Sequence, residues 1–180
     1  MVEREGYGTA LEGGLVPLKE YLRIEGGDED GVLGRLLASA MGVCEAFTAQ
    51  LWIARGVVEV LPADESWRRL ASTPVTAIDA VEGVDVAGTA MPLATDGFAT
   101  EIDAAGDGWL RVIDSGGARR VRVTLSAGSA ADWSALPEPV AQGLIRLAAH
   151  FHAHRDGIDD RGPPAAVTAL WRPWRRMRIA

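Results

Sequence analysis

The sequence has little cysteine and no long apolar run, and each absence excludes a class of protein. Cys44 is the only cysteine among the 180 residues, so no internal disulfide can form, and we expect a protein of a reducing compartment. No stretch approaches the roughly 18–20 uninterrupted apolar residues of a membrane span. The opening "MVEREGYGTALEGG" lacks the apolar run of a signal peptide. We therefore predict a soluble protein made in the cytoplasm.

The familiar motifs of catalysis are also missing. "GYGTALEGG" is not followed by Lys-Ser/Thr, so it is not a phosphate-binding loop. "LSAGS" lacks the spacing of a hydrolase nucleophile, and "GGDEDG" lacks the alternating ligands of a calcium loop. Cys44 falls within an apolar helical stripe, which favours a core residue over a nucleophile. The motifs therefore provide no convincing catalytic set, and we do not predict an enzyme from them.

Three histidines form the one candidate metal site, in "LIRLAAHFHAHRD". At about 100° per residue, His150 and His154 lie within about 40° of each other on a helix, whereas His152 points away. Two histidines are too few for zinc, and Phe151 stands where a metalloprotease helix needs glutamate. The acids that could complete a site are Asp156, Asp159 and Asp160. We favour histidines on a helix flank or subunit contact over a metal-dependent enzyme built on His150 and His154.

Charge is unevenly distributed along the chain. Residues 171–180, "WRPWRRMRIA", carry four of the 18 basic residues and no acid, which leaves 14 basic against 25 acidic residues in 1–170. So acidic a body argues against general nucleic-acid binding. Tryptophan and arginine are the residue types that dominate protein interfaces.

Three interpretations of this basic, aromatic tail follow. It could be a terminal helix packed on its own body, with its arginines paired to the acidic surface. It could be a small nucleic-acid-binding module that contacts phosphates. We favour a tail that anchors the chain in a partner protein, because tryptophan and arginine supply most binding energy in such contacts. The predicted contact residues are Trp171, Arg172, Trp174, Arg175, Arg176 and Arg178.

The spacing of apolar residues predicts helices early in the chain. Pro17 suits a first helical turn and begins a short helix at about 17–24. The next segment has apolar residues at i, i+3, i+4 and i+7 over about five turns. We therefore predict a long helix at about 29–50, with Asp28 as its N-cap.

The middle of the chain has the pattern of strands, and the end returns to helix. Short β-branched runs are separated by glycine and proline, and "RRVRVTL" alternates polar and apolar residues, as antiparallel hairpins do. A further apolar stripe from Val140 to Phe151 predicts another helix. Pro163 and Pro164 begin a last helical segment, which Pro173 interrupts or ends.

These elements define the predicted fold class and organisation. The fold class is α+β, a helical bundle (about 17–50 and 137–179) interrupted by an antiparallel β-rich insertion (about 51–131). Residues 1–14, which are rich in glycine, are expected to form a flexible arm, and residues 15–180 a single domain.

Four segments in this order resemble a known family. They are "LKEYLRIEGGDEDGVLGRLLASAMGVCEAFTAQ", "STPVTAIDAVEG", "VRVTLSAGSAADWSALPEPVAQGLIRLAAHFHAHRD" and "PPAAVTALWRPWRRMRI". The chain resembles the head–tail connector (adaptor) proteins of long-tailed bacteriophages, and most closely the version found in gene transfer agents. The likeness rests on the order of these four segments, from about Pro17 to Ile179.

The resemblance implies a structural function in the neck of a virion or gene transfer agent particle, assembled in the bacterial cytoplasm. Such connectors form a ring of about a dozen subunits under the portal protein. The ring extends the DNA channel without sequence-specific binding and offers a docking surface to a tail-side stopper or head-completion protein. It has no catalytic residue, cofactor or membrane partner. The tail at 171–180 is then expected to dock to the portal.

Overall fold

The computed structural model describes residues 1–154 and 162–176. It divides into two compact units, a β unit (Met1–Gly6 and Ala54–Ser129) and a helical unit (Tyr7–Ile53 and Ala130–Ala180). The predicted α+β class is confirmed, with a β-rich region between N-terminal and C-terminal helices. The β-rich insertion makes up most of the first of these units.

Four α-helices are found in the described part of the helical unit: α1 (Leu15–Leu22), α2 (Asp30–Thr48), α3 (Glu138–Ala153) and α4 (Ala165–Trp171). Short 3-10 turns lie at Glu12–Gly14, Trp133–Ala135 and Arg172–Trp174. The apolar stripes of these helices meet in one core, whose fully buried members include Leu18, Leu33, Leu37, Met41, Leu144 and Leu147. The helical periodicity of the sequence is thus the signature of this core.

Helix α2 begins at a different residue from the one predicted. Its N-cap is Glu29 rather than Asp28, and no side chain caps the helix through a hydrogen bond. The acids at this end are used in pairs with other elements instead: the Asp30 carboxylate lies 2.7 Å from Lys19 Nζ, and the Glu29 carboxylate 2.9 Å from His152 Nε2. The helix ends at Ala49, whose φ of 56° is left-handed.

By length and composition, α2 could also cross a membrane. Length and apolar composition alone do not identify a membrane span, because the core helix of a folded protein can have both. The side chains of Leu33, Leu37, Met41 and Cys44 are buried in the core of the helical unit. The apolar character of α2 is therefore accounted for by packing inside this unit.

The β unit contains eight strands: β1 (Val2–Arg4), β2 (Arg55–Pro62), β3 (Arg68–Arg69), β4 (Val75–Val84), β5 (Ala90–Pro92), β6 (Phe98–Ile102), β7 (Gly108–Val112) and β8 (Arg120–Ala127). They form a five-stranded sheet in the order β1-β2-β8-β4-β5 and a three-stranded sheet in the order β3-β7-β6, with antiparallel pairing throughout. The alternation predicted for "RRVRVTL" appears in β8, where Val121, Val123 and Leu125 are fully buried.

Part of the first 14 residues, where we expect a flexible arm, has regular structure. Val2–Arg4 pairs with β2 at the edge of the larger sheet, and Leu11 is buried in the helical core. A Cβ on Gly14 would lie 2.7 Å from the Trp133 ring, so this glycine allows a close approach. All three side chains of β1 are exposed. A strand held only by backbone hydrogen bonds has no apolar alternation for sequence reasoning to detect.

Glu59 on β2 is a buried acid that fixes the chain between β3 and β4. It is 1% exposed, and its carboxylate accepts hydrogen bonds from the backbone N–H groups of Ala71, at 2.8 Å, and Ser72, at 2.7 Å. Glu59→Ala removes this acceptor, so we expect the free energy of unfolding to fall by about 2–4 kcal/mol. Urea denaturation followed by circular dichroism measures the change.

Glu82→Ala is the control for this prediction. Glu82 lies 3.9 Å from Arg122 in a partly exposed ion pair, whose loss is expected to cost less than about 1 kcal/mol. If the two variants lost equal amounts of unfolding free energy, the hydrogen bonds of Glu59 would not stabilise the fold more than an exposed ion pair does.

Candidate functional site

The predicted contact residues lie in the C-terminal segment, residues 162–176 in the described part of the chain. Pro164 is extended and precedes the first residue of α4, so the helix starts where the two prolines predict it. A 3-10 turn, Arg172–Trp174, follows α4 directly, with Pro173 within it. Arg178 lies outside the described residues.

Trp171 is the innermost residue of this segment. It is 0% exposed, its indole Nε1 donates a hydrogen bond to the Val140 carbonyl at 3.4 Å, and its ring lies 6.1 Å from that of Phe47. A Cβ on Gly143 would lie 2.1 Å from Trp171 Nε1, so α3 needs glycine at this position to admit the ring. Trp171 thus holds the segment on the helical core and presents no surface to a partner.

One feature of the sequence distinguishes Trp171 from Trp174. Trp171 follows the buried Val167 by four residues within "AAVTALW", so both lie on the same side of α4. Trp174 comes after Pro173 and has no such relation. Composition alone treats the two tryptophans as equivalent, whereas helical spacing separates them.

Trp174 lies at the surface of the helical unit. It is 37% exposed, and its ring meets that of Trp52 edge to face, with centroids 5.6 Å apart. Its carbonyl accepts a hydrogen bond from Gln50 Nε2 at 2.9 Å. The Arg176 N–H donates to the Thr48 carbonyl at 2.9 Å, at the C-terminal end of α2. The backbone is therefore fixed while part of the Trp174 ring faces solvent.

Two arginines of this segment, Arg172 and Arg175, lie close to Trp174 in the chain and are exposed. Arg175 Cζ lies 5.7 Å from the centre of the Phe47 ring. Within residues 1–154 and 162–176, neither guanidinium forms an ion pair with a carboxylate. The structure thus combines a tryptophan packed on its own body, as expected for a terminal helix, with the exposed arginines expected for a tail that binds a partner. We call Arg172, Trp174 and Arg175 the cationic patch.

The histidines are arranged as the helical wheel predicts. The rings of His150 and His154 lie side by side, with centroids 4.3 Å apart, and His154 Nδ1 is 3.0 Å from the His150 carbonyl. His152 is directed elsewhere and contacts Glu29. In the described ranges, no group of three or more His, Cys, Asp or Glu side chains could hold a metal ion. Asp156, Asp159 and Asp160, which could complete a site, lie outside the described residues.

Cys44 is buried in the core, as its place in the α2 stripe predicts. Burial raises the pKa of the thiol far above its ordinary value, and the neighbouring charge of Glu45 raises it further. A nucleophilic cysteine needs a lowered pKa and solvent access. The surroundings of Cys44 therefore suit packing rather than catalysis.

Among known proteins, the chain matches solved structures. No protein-family model matches the chain, and no curated protein matches it. Solved structures do match, over the whole of this chain and 97% of each related chain.

Three of these structures share the fold. A chain from the neck of an empty GTA particle, with C6 symmetry, has 30% sequence identity and a TM-score of 0.79. A chain from the virion of a native gene transfer agent (GTA) particle has 31% identity and a TM-score of 0.76. A chain from the neck of a native GTA particle, with C12 symmetry, has 30% identity and a TM-score of 0.71. Identity of this size over full length indicates common descent as well as a common fold.

Proposed function

The chain belongs to the family of neck proteins of gene transfer agent particles, and we propose that it is the head–tail connector (adaptor) subunit of the neck. The observation that carries this proposal is the match over the full chain at about 30% identity. The order of helices, β unit and helices agrees with the connector family that the sequence resembles. The protein is thus a structural component of the particle, and its proposed role requires neither catalysis nor a cofactor.

Self-association is part of this function. The related chains come from necks with C6 and C12 symmetry, which supports an assembly of repeated subunits here. We propose a closed ring of about a dozen copies. In such a ring each subunit meets two neighbours through two different surfaces, because the contact is head to tail.

The ring would lie between the portal protein and a tail-side stopper or head-completion protein, with DNA passing through its centre. Outside 171–180 the chain has 14 basic and 25 acidic residues. A body with a net negative charge binds phosphates weakly, so DNA can pass without being retained. The acidic body therefore fits a channel extension better than a DNA-binding module.

The C-terminal segment is the proposed portal-docking element. The cationic patch combines an exposed tryptophan with two exposed arginines, the residue types that contribute most to binding. Because Gln50 and Thr48 already fix its backbone, docking loses little conformational entropy. Arg176 and Arg178 extend the same basic stretch, and Trp171 supports the patch from within the core.

Deletion of the gene tests the proposed function. Without its connector, a particle should accumulate as DNA-filled heads separate from tails, and the wild-type gene supplied in trans should restore tailed particles. Electron microscopy of purified particles, with a gold label on this chain, should place the label between head and tail. Tailed particles formed in the absence of the gene, or a label elsewhere, would rule the connector function out.

A further inference from the structure

The three-stranded sheet of the β unit has one buried and one exposed face. Along β7, Leu110 and Val112 are buried, whereas Arg111 between them is exposed. Strand residues alternate between faces, so Trp109, Arg111 and the following Ile113 share the outer side. The outer side of an antiparallel sheet in contact with water usually carries small or polar side chains.

This outer face instead carries large apolar side chains beside a cation. Trp67 is 43% exposed and Ile113 is 50% exposed. Arg111 Cζ lies 5.9 Å from the centre of the Trp67 ring, within the range of a cation–π contact. Ala99 on β6 pairs with Arg111 in register and leaves space beside it. We call Trp67, Arg111 and Ile113 the outer β face.

Neighbouring polar groups hold the side chains around this face in a fixed arrangement. The Arg69 guanidinium lies 3.1 Å from the Asp107 carboxylate, and Arg68 pairs with Asp64. The Trp109 indole donates to Asp103 at 3.1 Å. These acids already have partners within the sheet, so Arg111 rests on an aromatic ring instead of on a carboxylate. Exposed arginine and tryptophan in a fixed arrangement are typical of binding hot spots.

We infer that the outer β face is one of the two surfaces through which adjacent copies of this chain meet in the neck; the inference rests on the proposed connector function. The symmetry of the related necks supports repeated contacts between copies. A second copy also offers carboxylates to the exposed Arg111, because its body carries 25 acidic against 14 basic residues outside the tail. DNA fits this face less well, because the chain outside the tail carries 25 acidic against 14 basic residues, and such a net negative charge disfavours phosphate binding.

Photo-crosslinking within assembled particles tests the inference. With Trp67→p-benzoylphenylalanine, which keeps an aromatic ring at an exposed position, irradiation should produce an adduct of two copies of this chain. Val86→p-benzoylphenylalanine is the control, because Val86 is fully exposed in the turn between β4 and β5, two strands of the five-stranded sheet rather than of the sheet that carries the outer β face. Adding Arg111→Glu should lower the yield of the Trp67 adduct about tenfold.

Each outcome bears on one proposal. If the chain is present in particles but Trp67 crosslinks to another protein, to DNA or to nothing, or if Val86 gives the same adduct in equal yield, the outer β face is not the contact between copies. If the chain is absent from particles, the connector function itself fails, and this inference with it. Should the Trp67 variant not assemble, Ile113→p-benzoylphenylalanine probes the same face and is judged by the same outcomes.

Discussion

Trp171→Ala is expected to lower the free energy of unfolding by about 3–5 kcal/mol, the range for removing a large buried aromatic side chain. Trp171 is fully buried, contacts Phe47 and donates to the Val140 carbonyl, and Gly143 leaves a space that only this ring fills. Urea denaturation of the full chain, followed by circular dichroism, gives the measurement.

Trp174→Ala provides the comparison for this loss. Trp174 is 37% exposed and contacts Trp52 only edge to face, so its truncation should cost about 1 kcal/mol. Comparing the two variants thus distinguishes a tryptophan that anchors the segment from one that makes only a surface contact. A Trp171→Ala variant as stable as Trp174→Ala would contradict the anchoring role of Trp171.

Reversing two charges of the cationic patch should separate docking from folding. Arg172→Glu combined with Arg175→Glu places acids at exposed positions that have no described ion-pair partner, so stability should change by less than about 1 kcal/mol. Each reversal at a contact with the portal should cost at least roughly 1.4 kcal/mol, so the pair should reduce tailed particles about a hundredfold. Counting tailed and tailless particles by electron microscopy measures the effect.

The matched control has the same change in net charge. Arg35→Glu combined with Arg146→Glu alters two exposed arginines on α2 and α3 of the helical unit. Normal tailed particles from this control, and few from the tail variant, would locate the effect in the C-terminal segment. Equal numbers from both would remove the portal-docking proposal, and steeply salt-dependent DNA binding by the wild-type chain would favour the phosphate-binding alternative.

Elements held by interactions between residues close in sequence could be predicted, whereas features that depend on contacts far apart in the chain could not. Helices α2 and α3 are visible in the sequence because their buried residues recur at helical spacing, and β8 because Val121, Val123 and Leu125 alternate with polar residues. The ends of α1 and α2 differ from the predicted ones by one or two residues, since helix ends depend on local pairs such as Lys19 with Asp30.

The pairing of the strands could not be predicted in the same way. In the larger sheet, β8 lies between β2 and β4 and therefore joins segments far apart in the chain. No local pattern records which strands are neighbours, and β1 shows no pattern at all because its side chains are exposed. The division into two compact units depends on these distant contacts.

The sequence composition locates the candidate site, but it does not predict which of its side chains are buried. The concentration of tryptophan and arginine at 171–176 marks the segment, yet the depth of each side chain depends on what faces it. Gly143 lies 28 positions before Trp171 and decides that the ring can enter the core. The docking role of the segment stays a prediction, which the charge reversals are designed to test.

The chain leaves and re-enters the helical unit at neighbouring points. Ile53 and Ala130 form an isolated bridge, and the Ala130 N–H donates to the Trp52 carbonyl at 2.8 Å. The 76 residues between them thus start and finish at one hydrogen-bonded junction. The entropic cost of closing a loop rises only slowly with its length. This junction can therefore accept an insertion of different size or sequence without a change in the helices. Evolution could therefore remodel the intervening module for new neighbours in the neck while the helical core stays constant.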